Sequence, residues 1–393
     1  MIRKFFFENA VVGAQLELRH GVVVVTSDGH IAEVDEATSP PEGASSHFFG
    51  MPGLIDCHVH LALSGGSDIE AEARSLTEAS ARAAIVRNSR LHLAAGVTTV
   101  RDLGSPFNSV LASAQLLANS PEAPHVVAAG AISSSAGHGN FLASHADSDD
   151  EFFAQVDAAA LAGASVIKLF STGGVITAGT DPGAVQMSPL LLARVTEFAH
   201  QRGLRVAAHA HSSDGIRNAL DAQVDTIEHC SYMDPALVSL LATSSSFAVS
   251  TVVATERFVG CPDPIGSSPE AVAKIRAHAP HERRSTCLLG EPDVAERVAA
   301  GTDAGTTFNP HGTGLGEQAV FLRESGMSAE QVLRVLTVNG AAAIGVDAGV
   351  IRVGAPADLL ILRANPLIDV RALSQVEQVV LGGAKDTVFI PGR

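Results

Sequence analysis

The four cysteines, Cys57, Cys230, Cys261 and Cys287, are too scattered through 393 residues to form a Cys-x-x-Cys pair. Neither a disulfide framework nor a thiolate zinc site is therefore expected. No apolar run reaches the length of a membrane span. Near the N-terminus, the run Phe5 to Phe7 is ended by Glu8 and Asn9 before it could serve as a signal-peptide core. Charged residues make up only 17% of the chain, and the formal net charge is −16. Nothing basic is clustered to neutralise phosphates, which argues against nucleic acid or an anionic membrane as partner. Low-complexity segments are also missing. These absences point to a soluble cytoplasmic protein that acts on a small molecule.

What is present suits a globular α/β enzyme, with 46% apolar residues and 36 glycines. The length allows one barrel of about 250 residues with an additional domain. From Ile2 to Phe49, short apolar runs alternate with turns such as Ser27-Asp28-Gly29, which are β signals. The segment from Gly349 to Arg393 reads the same way, so residues 1–50 and 346–393 are expected to form one β-sandwich domain. Residues 51–345 alternate apolar strand-like runs with helical stretches. The candidate strands are Leu54 to His58, Val97 to Arg101, Val126 to Gly130, Val166 to Phe170, Arg205 to His209, Thr226 to His229, Phe247 to Val252 and Val298 to Asp303. Eight strand–helix units predict a (β/α)₈ TIM barrel, whose chemistry sits at the C-terminal ends of its strands.

Metal-ligand residue types fall at those ends. His58 and His60, two apart on a strand, share one face. Lys168 lies within the fourth candidate strand, His209 and His229 end the fifth and sixth, and Asp303 ends the eighth. One such residue would be ordinary; six on one face of a barrel read as a metal site. Lys168 stands in an otherwise apolar strand, where a snorkelling or ion-paired lysine is a weak alternative.

The chain resembles the amidohydrolase superfamily, in its branch of metal-dependent prolidases and imidazolonepropionase-related hydrolases. The resemblance is carried by Pro52 to His60, Ala95 to Asp102, Gly137-His138-Gly139, Ile167 to Val175, Ala208-His209-Ala210-His211, Ile227-Glu228-His229, Gly301 to Gly305 and Gly354 to Leu359. It implies a binuclear centre. His58, His60 and Asp303 would hold one divalent ion and His209 and His229 the other, with Lys168 carboxylated and bridging them together with a hydroxide. Zinc is the default for such donors. An unmodified lysine would be a cation at neutral pH and repel a metal, whereas its carboxylated form is an anionic oxygen donor. Asp303 is the expected general base and acid. His138 is expected to contact the substrate or the developing oxyanion. His211 stands where dipeptidase relatives often carry a tyrosine that binds the substrate carboxylate, so it and Tyr232, the one tyrosine of the chain, are candidate substrate contacts. His311 is placed near the site, and His92, His200, His278 and His281 are read as structural or exposed.

The expected reaction is hydrolysis of a small-molecule amide, such as a dipeptide or an N-acyl amino acid. A cyclic amide or lactone ring opener on the same barrel is the alternative, but mononuclear versions usually lack the bridging lysine. A non-catalytic scaffold would have lost ligands that this chain keeps. Specificity is expected from the loops Ser64 to Glu70, Ser133 to Ala143, Thr177 to Met187 and Cys261 to Pro269. Relatives are commonly homo-oligomers, and the same is expected here.

Overall fold

The structure is a computed structural model that describes residues 2–261, 266–382 and 387–391. Four strands open the chain: β1 (Arg3–Val12), β2 (Glu17–Ser27), β3 (His30–Glu36) and β4 (Ser45–Pro52). The barrel strands follow: β5 (Leu54–Val59), β6 (Val97–Asp102), β7 (His125–Ser133), the short β8 (Ser144–His145), β9 (Val166–Phe170), β10 (Arg205–Ala210), β11 (Thr226–His229), β12 (Phe247–Ser250) and β13 (Val298–Ala300). The last three are β14 (Leu359–Leu362), β15 (Val376–Leu381) and β16 (Thr387–Phe389).

Both ends of the chain build one seven-stranded sheet in the order β16-β15-β14-β4-β1-β2-β3. Alternation in β1 and β2 sets its inner face, where Phe5 pairs with Val24 and Phe7 with Val22. These residues pack with Leu359, Ile361 and Val380 from the other end of the chain. The sandwich expected from sequence is therefore one sheet rolled over its own core. Ile31 at the β3 edge donates to Ala355 O at 2.9 Å and accepts from Gly354 N at 2.8 Å, which brings that edge onto the segment leading into β14.

The second sheet runs β13-β12-β11-β10-β9-β7-β6-β5, with β8 beside β7. Its neighbouring strands are parallel. Beyond β13 the chain bonds to β5, with Asp303 N donating to His58 O at 2.7 Å and His60 N to Ala304 O at 2.8 Å, closing the ring on the site side. All eight expected strands are present, and two end earlier than expected. β12 stops at Ser250 because Val252 opens the helix Val252–Gly260. β13 stops at Ala300, and Asp303 takes a left-handed φ of 55° that turns the chain off the barrel. At Gly301 a Cβ would stand 2.5 Å from His58 Cβ, so the two strand ends meet only because that side chain is missing.

Helices between the strands start where the sequence marks them. Ser188, Asp234 and Ser268 are N-caps, each followed by proline at the first helical position. None of the described helices is long and apolar enough to cross a membrane.

Candidate metal centre

Strand alternation decides which side chains enter the barrel. In β9, Ile167 and Leu169 join the large apolar layer shared with the helices, whereas Val166 packs with Ala129 and Ala207 of neighbouring strands. Lys168 shares the face of Val166, since residues two apart point the same way. In β10 the same rule puts Val206, Ala208 and Ala210 in the helix-side layer and His209 on the opposite face.

Two groups of ligand-type atoms result, each drawn together within 4.8 Å. The first is His58, His60 and Asp303. His58 Nε2 lies 3.4 Å and His60 Nε2 3.3 Å from the same oxygen of Asp303. Each ring is held by its other nitrogen: His58 Nδ1 bonds Glu228 at 2.9 Å and His60 Nδ1 bonds Gly104 O at 2.9 Å. A carbonyl or a carboxylate accepts, so both rings carry the proton on Nδ1 and present the Nε2 lone pair to the site. The second group is His209, His229 and His211. His209 Nε2 donates to Gly173 O at 3.1 Å, which leaves Nδ1 as its free lone pair. His229 Nδ1 is bonded to Thr251 at 2.7 Å. The His58 and His229 ring centroids are 5.0 Å apart, so the two groups adjoin.

Lys168 lies at their centre. It is the charged neighbour common to His58, His209, His229 and Asp303, lowering the affinity of each for protons. It is 1% exposed, and its Nζ has no hydrogen-bond partner. Burial pulls its pKa down to about 8. Burial also works to raise the Asp303 carboxyl, but His58, His60 and Lys168 outweigh it and hold the group below the usual carboxylate range.

A buried charged network supports the first group from below. Arg101 donates to Glu228 at 2.8 Å, to Thr226 at 2.8 Å and to Cys57 O at 2.7 Å. Burial would push Glu228 up, yet Arg101 and His58 keep it ionised, at about 2. Asp56 accepts from Thr302 N at 2.9 Å and from its hydroxyl at 2.7 Å, which fixes the segment carrying Asp303. The sequence reading gave no role to Arg101, Glu228 or Asp56. Their signal was a charged residue inside a short barrel strand, weaker than that of Lys168 because threonine, histidine or a second charge shares each of these strands.

A cavity that opens to solvent lies over the site, lined by all six expected ligands together with His138 and His211. His138 Nδ1 is bonded to Thr177 at 2.8 Å, and its ring is 4.5 Å from that of His209. A Cβ at Gly174 would fall 2.1 Å from the His138 ring, so this glycine makes room for it. His211, expected as a substrate contact, stands with the second ligand group and is bonded to Ser231 at 2.9 Å. Tyr232 is absent from the lining; its ring packs 4.5 Å from that of His281 and 5.3 Å from that of His278. His278, read from sequence as structural or exposed, is buried against His211 with ring centroids 4.6 Å apart. His92 is also buried and meets His311 at 2.9 Å. Glu282 was missed altogether, and it lines the cavity.

Two of the expected specificity loops reach this wall, through Ile69 and through Phe141 and Leu142. The other described part comes from Val175 and Ile176, just before the third loop, and from the helices Val252–Gly260 and Pro269–Leu289. Of the loop Cys261 to Pro269, residues 262–265 lie outside the described residues.

Comparison with known proteins agrees with this architecture. The chain is 28% identical over 362 residues to ochratoxinase of Aspergillus niger, covering 84% of this chain and 73% of that protein. It is 25% identical over 391 residues to imidazolonepropionase of Salinispora arenicola, covering 89% and 87%. A crystal structure of a Xaa-Pro dipeptidase with bound methionine superposes with a TM-score of 0.89 at 23% identity, covering 99% of this chain and 100% of that one. The profile of the amidohydrolase family matches residues 49–393, and the chain belongs to that family.

Proposed function

We propose that the chain is a metal-dependent hydrolase that cleaves the carbon–nitrogen bond of a small-molecule amide. Family membership supports the bond class. The observation that carries the metal reading is Lys168, a buried amine without a partner amid two groups of converging imidazole and carboxylate atoms. A lone buried ammonium is costly, and its lowered pKa leaves part of it neutral and able to take up carbon dioxide. The residues present therefore fit two divalent ions, with zinc the default. His58, His60 and Asp303 would hold one and His209 and His229 the other, with carboxylated Lys168 between them. Bound there, the ions would lower the pKa of a water toward about 7 and polarise the substrate carbonyl.

The chain's own residues supply the remaining steps. Asp303, held ionised, accepts the proton of the attacking water and returns it to the leaving amine. Thr177 fixes the His138 ring from Nδ1, leaving Nε2 as the donor for charge that develops on the carbonyl oxygen. Glu228 and Arg101 keep His58 in the tautomer that exposes Nε2.

Metal content and intact mass of the purified protein test this reading together. About two metals per chain are expected, with a mass increment of one carbon dioxide on Lys168 that acid removes. Asp303→Asn is expected to cut turnover by about a hundredfold or more. Metal-free protein, or full turnover in that variant, would overturn the assignment.

A further inference from the structure

The cavity wall beside the second ligand group carries a feature that metal binding leaves unexplained. Glu282 projects from the helix Pro269–Leu289, two residues after Pro280. It is 2% exposed and lines the cavity beside Thr255 and Ile275. Thr255 hydrogen bonds its carboxylate, and Oε2 is left with no partner. One helical turn earlier, His278 is 1% exposed, and neither of its ring nitrogens has a partner. His278 Nε2 stands 3.8 Å from Glu282 Oε2, beyond hydrogen-bond reach but close enough for one donor group to serve both. Three unpartnered polar atoms in adjoining buried side chains are expensive to maintain, and a ligand that satisfies the one lining the cavity, on Glu282, explains why that carboxylate persists.

The charge of the wall says what kind of ligand. Among the described residues, no arginine lines the cavity, and its one lysine is Lys168 in the ligand set. A substrate carboxylate directed away from the ligand set would find no cation and would meet Glu282. An ammonium group would instead find the unpartnered carboxylate oxygen of Glu282, in a surround of Ile69, Ile176, Phe258 and Ile275.

We propose that Glu282, backed by the buried His278, forms a substrate-recognition subsite for a protonated amine, so that the preferred substrates are amides carrying an ammonium group on an apolar chain. The proposal rests on the hydrolase reading for its meaning as substrate specificity, but the subsite can be tested without turnover. Titration calorimetry of the purified full-length protein would compare n-hexylamine with the neutral hexanamide at pH 8. The wild type is expected to bind hexylamine about tenfold or more tightly than hexanamide. Glu282→Gln is expected to remove that preference while leaving hexanamide binding within about twofold, since it removes the charge and keeps the shape. Glu282→Asp keeps the charge but draws the oxygen back by one methylene; an intermediate loss is expected, and this variant decides the matter if the glutamine variant does not fold. Equal binding of the two probes by the wild type, or an amine preference that survives both substitutions, would overturn the proposal. A protein that binds hexylamine as expected but hydrolyses no amide would leave the subsite standing and sink the hydrolase reading.

Discussion

Glu282→Gln should stabilise the protein at high pH and do little at low pH. Burial pushes the Glu282 carboxyl from its ordinary 4.5 up to about 7; Asp303 and Glu256 add like charge, and the Thr255 hydrogen bond works against both. The folded state therefore holds a proton between these two values that the unfolded chain has already lost. Stability must fall as pH rises through this window and stay low above it. At about 1.4 kcal/mol per pH unit, the penalty above pH 7 amounts to about 3 kcal/mol. No neighbour cancels it, because burial also drives His278 down to about 4 and keeps it neutral. Glutamine keeps the shape, cannot ionise and removes the penalty. For a chain of 393 residues, 3 kcal/mol corresponds to about 4 °C in Tm. Thermal melts of wild type and variant, treated identically at pH 5 and at pH 8, give the answer. The variant should melt about 4 °C higher at pH 8 and within about 1 °C of wild type at pH 5. A difference independent of pH, or a variant less stable at pH 8, would show that the carboxyl is not held in the protonated range.

Two further substitutions test the architecture around the ligands. Arg101→Met leaves the fully buried Glu228 without its cation, which should cost about 3 to 5 kcal/mol in urea denaturation. Adding Glu228→Gln should restore part of that loss, and a stable single variant would refute the pairing argument. Gly174→Ala places a Cβ 2.1 Å from the His138 ring, so the ring must move off its Thr177 partner. The expected result is a kcat for amide hydrolysis reduced about tenfold or more with the fold retained by circular dichroism, and unchanged kcat would remove His138 from the mechanism.

The sequence was most legible where one strand period and one residue type coincide. His58, His60, Lys168, His209 and His229 stood out because ligand-type residues recurred on or at the end of strand after strand, where any one alone would be ordinary, and the structure gathers all of them around one cavity. Asp303 was found for the same reason, although the strand that was meant to carry it stops at Ala300 and a left-handed turn completes the placement. The boundary misses at Ser250 and Ala300 share a cause. Local apolar character continued past the point where a helix start or the approach of His58 to Gly301 ended the ladder, and the second of these lies far away in sequence.

The helix Pro269–Leu289 was less legible, and the reason is physical. Its buried stripe runs through Ala271, Ile275, His278, Glu282 and Ser285, at the spacing of a helix face turned inward. Polar residues on such a stripe look like a surface if the face is judged by composition, and His278 lies on a helix away from the strand ends that mark the site. Judged by position, the same residues mark where a buried face stops being core and becomes wall. Ala271 and Ile275 fix the face, and the two positions that continue it carry an imidazole with no partner and a carboxylate with one oxygen left over. A core would have placed leucines there. The chain instead accepts a stability penalty at Glu282, and that penalty is intelligible only if the carboxylate meets something that enters the cavity. On the proposed reading, the ligand-type residues mark where a bond would be broken, and Glu282 marks what the molecule that brings it must carry.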